Sequence, residues 1–288
     1  MQDERSPDFI LAGVPKAATT WIHECFREHP DIYVPESDTL NFFETTYHRG
    51  IDSYRANFAG ANSDQIVGES SPAYLGDPLA PQRIADHLPD VTLLFSLRNP
   101  VDRAFSQWWH GYSDRYWTYE FEEIFEQHPP YQLWAVPGFY DYHLSRFEEH
   151  FDEDHIRVFL FDDLVADDGE FIADVFDAVG ANPDFEPSLV GETVNEAHHQ
   201  GPNLLKRTHN WVQNNASETA RRVLSPFVSG TSSILLDRST YEEGMGPEMR
   251  AQLEEVYRED VAALMDRTGR DLRHWFEYVD PPDVPVIQ

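Results

Sequence analysis

The sequence predicts a single-domain α/β fold of three layers (α/β/α), with helices covering both faces of a central parallel sheet. Three observations carry that expectation. Short apolar runs alternate with stretches of helical periodicity, as they do when parallel strands are joined by covering helices. The two strongest runs, DFILAGV at residues 8–14 and VTLLFSL at 91–97, are largely apolar rather than alternating, which marks strands buried on both faces. No internal repeat and no strong linker divides the 288 residues, so 1–288 reads as one domain with a variable insertion at about 192–246.

Each element has a local reason. The first strand closes on Gly13. Residues 19–29 then place Trp21, Ile22, Cys25 and Phe26 on one side of a helix, which Pro30 stops. A short strand is expected at 32–34 and a short helix at 52–58. A strand at 65–68 leads into Glu69-Ser70-Ser71-Pro72. Asp77 can cap a helix through 80–87, with Pro78 in its first turn and Pro89 beyond its end. The strand at 91–97 passes through Arg98-Asn99-Pro100 into a helix over about 101–112. A helix around 140–150 precedes a strand at 155–161, and a further helix spans 169–179. Periodicity is weak from 192 to 239 and returns in a helix at 247–268 that Gly269 ends.

Charge narrows the function classes. The chain has 52 acidic and 21 basic side chains, a formal charge of −31, and only two of the basic residues, Lys16 and Lys206, are lysine. Such a surface repels phosphate backbones and anionic lipid, so neither nucleic acid nor an anionic membrane is expected as a partner. At 41% apolar and 14% aromatic residues the chain can still bury a core, so charge does not imply disorder. Acid excess with little lysine suits a salt-rich cytosol, where screening weakens self-repulsion. No stretch approaches the roughly 18 apolar residues of a membrane span, and a cytoplasmic protein of a high-salt organism is expected. The single cysteine, Cys25, is expected to be a small core residue.

Two strand-end loops carry the chemistry. Gly13-Val14-Pro15-Lys16-Ala17-Ala18-Thr19-Thr20 joins a buried strand to a helix, where backbone N–H groups and the positive helix terminus favour an anion. Small residues let that anion approach, two hydroxyls can donate to it, and Lys16 adds a full charge. The loop is P-loop-like but not a Walker A sequence, which needs its lysine after a second glycine. The second loop, Arg98 to Ser106, follows the central strand and is expected at the same sheet edge. Arg98 can grip a phosphate with two parallel bonds, and Ser106 lies on the following helix where it can face the same site. Asp102 and Arg103 are expected to pair locally.

At these loops the sequence resembles the sulfotransferases that use 3′-phosphoadenosine 5′-phosphosulfate (PAPS). Pro15-Lys16-Ala17-Ala18-Thr19-Thr20-Trp21-Ile22 is similar to their 5′-phosphosulfate motif P-K-x-G-T-T-x-L, and Arg98 through Ser106 to their 3′-phosphate motif R-[DN]-P-x-[DE]-R-x-x-S. Within the family the likeness is to the heparan-type Golgi enzymes and their bacterial and archaeal relatives. The resemblance implies that Lys16, Ala17, Ala18, Thr19, Thr20 and Trp21 surround the 5′-phosphosulfate, and that Arg98 and Ser106 bind the 3′-phosphate. It implies PAPS as co-substrate, PAP as product and no required metal. Lys16 would then stabilise the bridging oxygen as it leaves. Ala18 stands where the family usually has glycine, which is harmless only at negative φ.

The base is not carried over. Heparan-type relatives have a K-E-x-x-F-F pattern; here Asp38-Thr39-Leu40-Asn41-Phe42-Phe43 replaces both its lysine and its glutamate. The substitutes are Glu44 beside the Phe pair, the nearby Asp38 and Glu36, and His110, four residues after Ser106 and titrating in a range that suits a base. Glu69 is a further candidate, with support of the first loop from beneath as its other role. His198-His199 sits in a polar stretch and reads as loop rather than metal ligand. The acceptor is expected to be a glycan, glycolipid or small molecule, and Trp108, Trp109, Trp117, Tyr131 and Trp134 could stack on its rings. Two other readings stand beside transfer: a PAP- or PAPS-binding module without activity, favoured by Thr39, and a small-molecule kinase, disfavoured by the missing Walker lysine.

Overall fold

A computed structural model describes residues 5–113, 116, 118–191 and 245–276 of the chain. Most of the expected insertion, together with Trp117 and the His198-His199 pair, lies outside the described residues. Five strands form one sheet in the order β2-β3-β1-β4-β5: β1 (Phe9–Gly13), β2 (Ile32–Tyr33), β3 (Ile66–Ser70), β4 (Thr92–Leu97) and β5 (Ile156–Leu160). Every pairing is parallel; β1 lies centrally, with Leu11 opposite Ser70 on one side and Leu94 on the other.

Side-chain alternation along β1 divides the interior into two layers. Ile10 and Ala12 face one core with α3 (Ala80–His87), α4 (Pro100–Ser113), α6 (Tyr140–Glu148) and the C-terminal helix; Phe9 and Leu11 face the other with α1 (Thr19–Glu28) and α8 (Asp168–Ala178). Ile22, Cys25 and Phe26 form the buried stripe of α1, and burial pushes the Cys25 thiol pKa up, so this cysteine packs as expected. Three short helices, α2 (Ile51–Arg55), α5 (His128–Pro130) and α7 (Phe161–Ala166), lie between the longer ones. The three-layer parallel arrangement is the one the sequence predicts.

The C-terminal helix, α9 (Pro247–Thr268), is joined to the domain by more than apolar packing. The Asp260 carboxyl accepts the N–H groups of Asp141 (3.1 Å) and Tyr142 (3.0 Å), which are otherwise unpaired in the first turn of α6. Gly269 ends α9 in the left-handed conformation (φ 66°), donating its N–H to Met265, where a glycine carries no Cβ penalty. Asp77 accepts the N–H groups of Leu79 and Ala80 ahead of α3, but the N-cap is Leu79, and Pro78 precedes the helix instead of lying in its first turn. The sequence did not foretell the two wide turns at Phe42–Thr46 and Tyr131–Ala135, whose register no periodicity marks. Among the described residues no helix is long and apolar enough to cross a membrane.

Candidate active site

The first loop leaves the end of β1 and is anchored to the end of β4. The Val14 N–H donates to the Ser96 carbonyl (3.0 Å), and the buried Ser96 hydroxyl donates to the carbonyl of Ala17 (2.7 Å). Gly13 lets the loop begin: a Cβ there would lie 2.6 Å from that of Leu75. Two non-glycine residues of the loop, Lys16 (φ 77°) and Ala18 (φ 62°), are left-handed. Residues of this kind turn backbone N–H groups to one side, the geometry of an anion-binding concavity, and Ala18 is also the cap from which α1 starts. Such strain persists only where the surroundings over-determine it, here through Ser96.

The second loop joins the first. An Arg98 Nη1 donates to the Lys16 carbonyl at 3.4 Å, and the guanidinium lies 4.7 Å above the Phe161 ring. Tyr140 donates its hydroxyl to the Arg98 carbonyl (2.7 Å). Asn99 caps α4 by accepting the N–H groups of Val101 (2.9 Å) and Asp102 (3.2 Å). The expected Asp102–Arg103 pair does not form. Asp102 meets Arg250 of α9 at 2.5 Å, while Arg103 turns into the core and donates to the Trp134 carbonyl. Packing of α9 against α4 supplies the acid with a better-placed partner.

A cavity of about 250 Å³ opens on the first loop, lined by Pro15, Lys16, Ala18, Thr19 and Thr20, by Asp38, Thr39 and Asn41, and by Pro72 and Ala73. The segment around residue 40 is therefore brought against Lys16. Phe42 and Phe43 hold it there: both are buried, Phe42 stacking on Tyr54 at 4.8 Å and Phe43 meeting Tyr54 and Tyr74 edge-on. Asn41 is left-handed (φ 49°), which asparagine tolerates better than most residues. Its N–H donates to Ser71 Oγ (2.9 Å), and its carbonyl accepts both the N–H and the hydroxyl of Thr45 (2.8 Å each).

Beneath this segment lies a buried carboxyl. Glu69 accepts the Tyr54 hydroxyl (2.9 Å) and the Ser71 hydroxyl (2.8 Å), while the Tyr74 hydroxyl accepts the Phe43 N–H (3.2 Å). Burial pushes the Glu69 pKa up to about 7, against the opposing effect of its hydrogen bonds. Glu69 thus supports residues 41–43 through Ser71 and Tyr54, rather than the first loop. Its neighbour Ser70 bonds to His23 Nδ1 (2.9 Å), a buried imidazole whose pKa is lowered by burial. Sequence reasoning missed this network's reach, although the Glu69-Ser70-Ser71-Pro72-Ala73-Tyr74 run marked its place.

The remaining expected residues are placed as follows. Lys16, Ala18, Thr19 and Thr20 line the cavity; Ala17 is fully buried and takes part through its carbonyl. Trp21 is half-buried with its ring 6.4 Å from that of Phe171, on the α8 side. Arg98 and Ser106 are half-buried on the second loop and α4. Glu44 and His110 do not line the cavity. The Glu44 pKa is raised by burial and by nearby Asp77, toward α3, whereas His110 is exposed although Trp108 and Trp109 beside it are buried. Trp108, Trp109 and Trp134 pack in the core and Tyr131 is half-buried, so the three tryptophans offer no stacking face. Among the described residues no cluster of three or more His, Cys, Asp or Glu side chains is arranged to hold a metal.

A parallel sheet with two anion-suited loops meeting at one edge defines a class, and the chain belongs to the sulfotransferase domain family, whose model matches residues 6–269. Mouse heparan sulfate glucosamine 3-O-sulfotransferase 6 is 30% identical to it over 181 residues, covering 61% of this chain and 53% of the relative. The chain therefore spans about half the length of that curated relative. The crystal structure of a sulfotransferase from Alicyclobacillus acidocaldarius matches with a TM-score of 0.68 at 25% identity, over 94% of this chain and 99% of that one. Mouse sulfotransferase SULT7A1, solved in complex with PAP, shares the fold at a TM-score of 0.50 and 16% identity, over 93% and 90% of the two chains.

Two measurements follow from this geometry. Ala18→Gly removes a Cβ from a left-handed position and is expected to stabilise the domain by about 1 kcal/mol, a rise of roughly 2 °C in Tm; an unchanged or lower Tm by calorimetry would contradict the strain. Glu69 binds its proton more tightly folded than unfolded, so its cost is absent below about pH 4.5 and complete above about pH 7. Urea unfolding of wild type and Glu69→Gln at several pH values should show the wild type losing on the order of 3 kcal/mol relative to the variant across that window. A pH-independent difference would show that Glu69 is not buried as a titrating carboxyl.

Proposed function

We propose that this chain transfers a sulfuryl group from PAPS to a hydroxyl or amine of a glycan, glycolipid or small molecule. The meeting of the two loops carries the reading: Arg98 bonds to the carbonyl of Lys16, so phosphate-suited groups from β1 and β4 share one edge. The residues fit such a donor. The first loop offers left-handed backbone, the terminus of α1, two threonine hydroxyls and Lys16, while Arg98 offers a planar fork for a second phosphate. When bound, the donor supplies an electrophilic sulfur whose bond to the bridging phosphate oxygen breaks as the acceptor oxygen or nitrogen bonds to it.

The chain's own groups then have separable roles. Lys16 neutralises charge at the bridging oxygen, Thr19 and Thr20 orient the neighbouring oxygens, and Arg98 with Ser106 anchors the 3′-phosphate. The acceptor's proton needs a base. Asp38 carries the carboxyl that lines the cavity with Lys16, so we assign the proton to it in preference to Glu44 and His110, which lie outside that lining. The acid excess supports a salt-rich cytosol as the working medium.

Lys16→Ala is expected to keep the wild-type Tm and to lose about 100- to 1000-fold in turnover of labelled PAPS into a glycan and glycolipid extract. Near-wild-type turnover would remove Lys16 from the mechanism. A thermal shift with PAP, ATP and GTP checks the donor separately: selective stabilisation by PAP is expected, and a response to ATP with magnesium instead would favour a kinase.

A further inference from the structure

The cavity has a polarity of its own. Lys16 is the single cation among its lining residues, and the proposed chemistry commits it to the donor. The other polar residues around it include Asp38, Thr39 and Asn41.

We propose that the acceptor is uncharged or cationic at its reacting end, a neutral polyol or an amine, and that Asp38 selects it. This rests on the cavity being the site of transfer. An entering molecule meets one acidic side chain in the lining, Asp38, whose carboxylate only O–H or N–H groups can satisfy. An acidic group beside the reacting atom would face Asp38 with no second cation in the lining to offset the repulsion. Asp38 acts here as a charge filter.

The test is binding, with probes that differ in one group. Methyl glucoside, methyl glucosaminide and methyl glucuronide are titrated by ligand-observed NMR into PAP-saturated wild type, Asp38→Lys and Asp38→Asn. The wild type is expected to bind the glucosaminide and the glucoside about tenfold or more tightly than the glucuronide, since like-charge contact is costly in a confined site. Asp38→Lys should reverse the order of amine and acid, and Asp38→Asn should level it, each compared at saturating PAP. Equal or tighter binding of the glucuronide by the wild type would overturn the proposal, as would an order untouched by Asp38→Lys. So would a wild type that binds PAP and none of the three sugars. A wild type that fails to bind PAP at all overturns the donor reading, and this inference falls with it.

Discussion

The buried hydrogen bond from Ser96 to the carbonyl of Ala17 is the constraint on which the site depends. It joins the end of the central strand β4 to the loop after β1, and with the Val14–Ser96 bond it fixes that loop from below. Neither bond would form unless the two strands were adjacent and parallel. The left-handed backbone at Lys16 and Ala18 is sustained by this anchoring. Arg98, two residues beyond Ser96, then reaches the Lys16 carbonyl without any long-range adjustment. A strand pairing thus becomes an arrangement of charge.

A second support acts on the other wall of the cavity. Glu69 sits at the end of β3, on the opposite side of β1 from β4. Its carboxyl collects the hydroxyls of Tyr54 and Ser71, and Ser71 accepts from the backbone of Asn41. Aromatic packing of Phe42 and Phe43 drives the segment into place, and the polar network beneath fixes its register. The cost is a carboxyl held out of water, seen in its raised pKa. The loop after β1 therefore forms one wall, residues 38–41 with Pro72 and Ala73 the other, and the space between them is the cavity on Lys16.

Charge looks different once the site is in view. Across the chain it is overwhelmingly negative, and the donor loops are the local exception, with Lys16 and Arg98 at adjoining strand ends. The exception is narrow. Asp38 lines the same cavity, so a negative side chain stands in the lining with the positive one. In the proposed reaction, a donor rich in phosphate and an acceptor without an acidic group meet walls that come from different loops.

The layers, the strands and both anion-suited loops were legible in the sequence, because buried parallel strands are continuous apolar runs and the loops follow them directly. It also marked Ala18 as a departure whose cost turned on the sign of φ. What it could not decide was which side chains meet. Asp38, Glu44 and His110 were equivalent as sequence, since each is an acid or base near a motif. Only the wide turn at Phe42–Thr46, set by aromatic burial rather than periodicity, puts Asp38 and Asn41 on the cavity and carries Glu44 toward α3. Likewise Asp102 and Arg103 are neighbours in the chain, but α9 and the core separate them. Local patterns fix elements because they depend on nearby residues. Contacts across loops depend on how distant apolar surfaces pack, and that is decided in three dimensions.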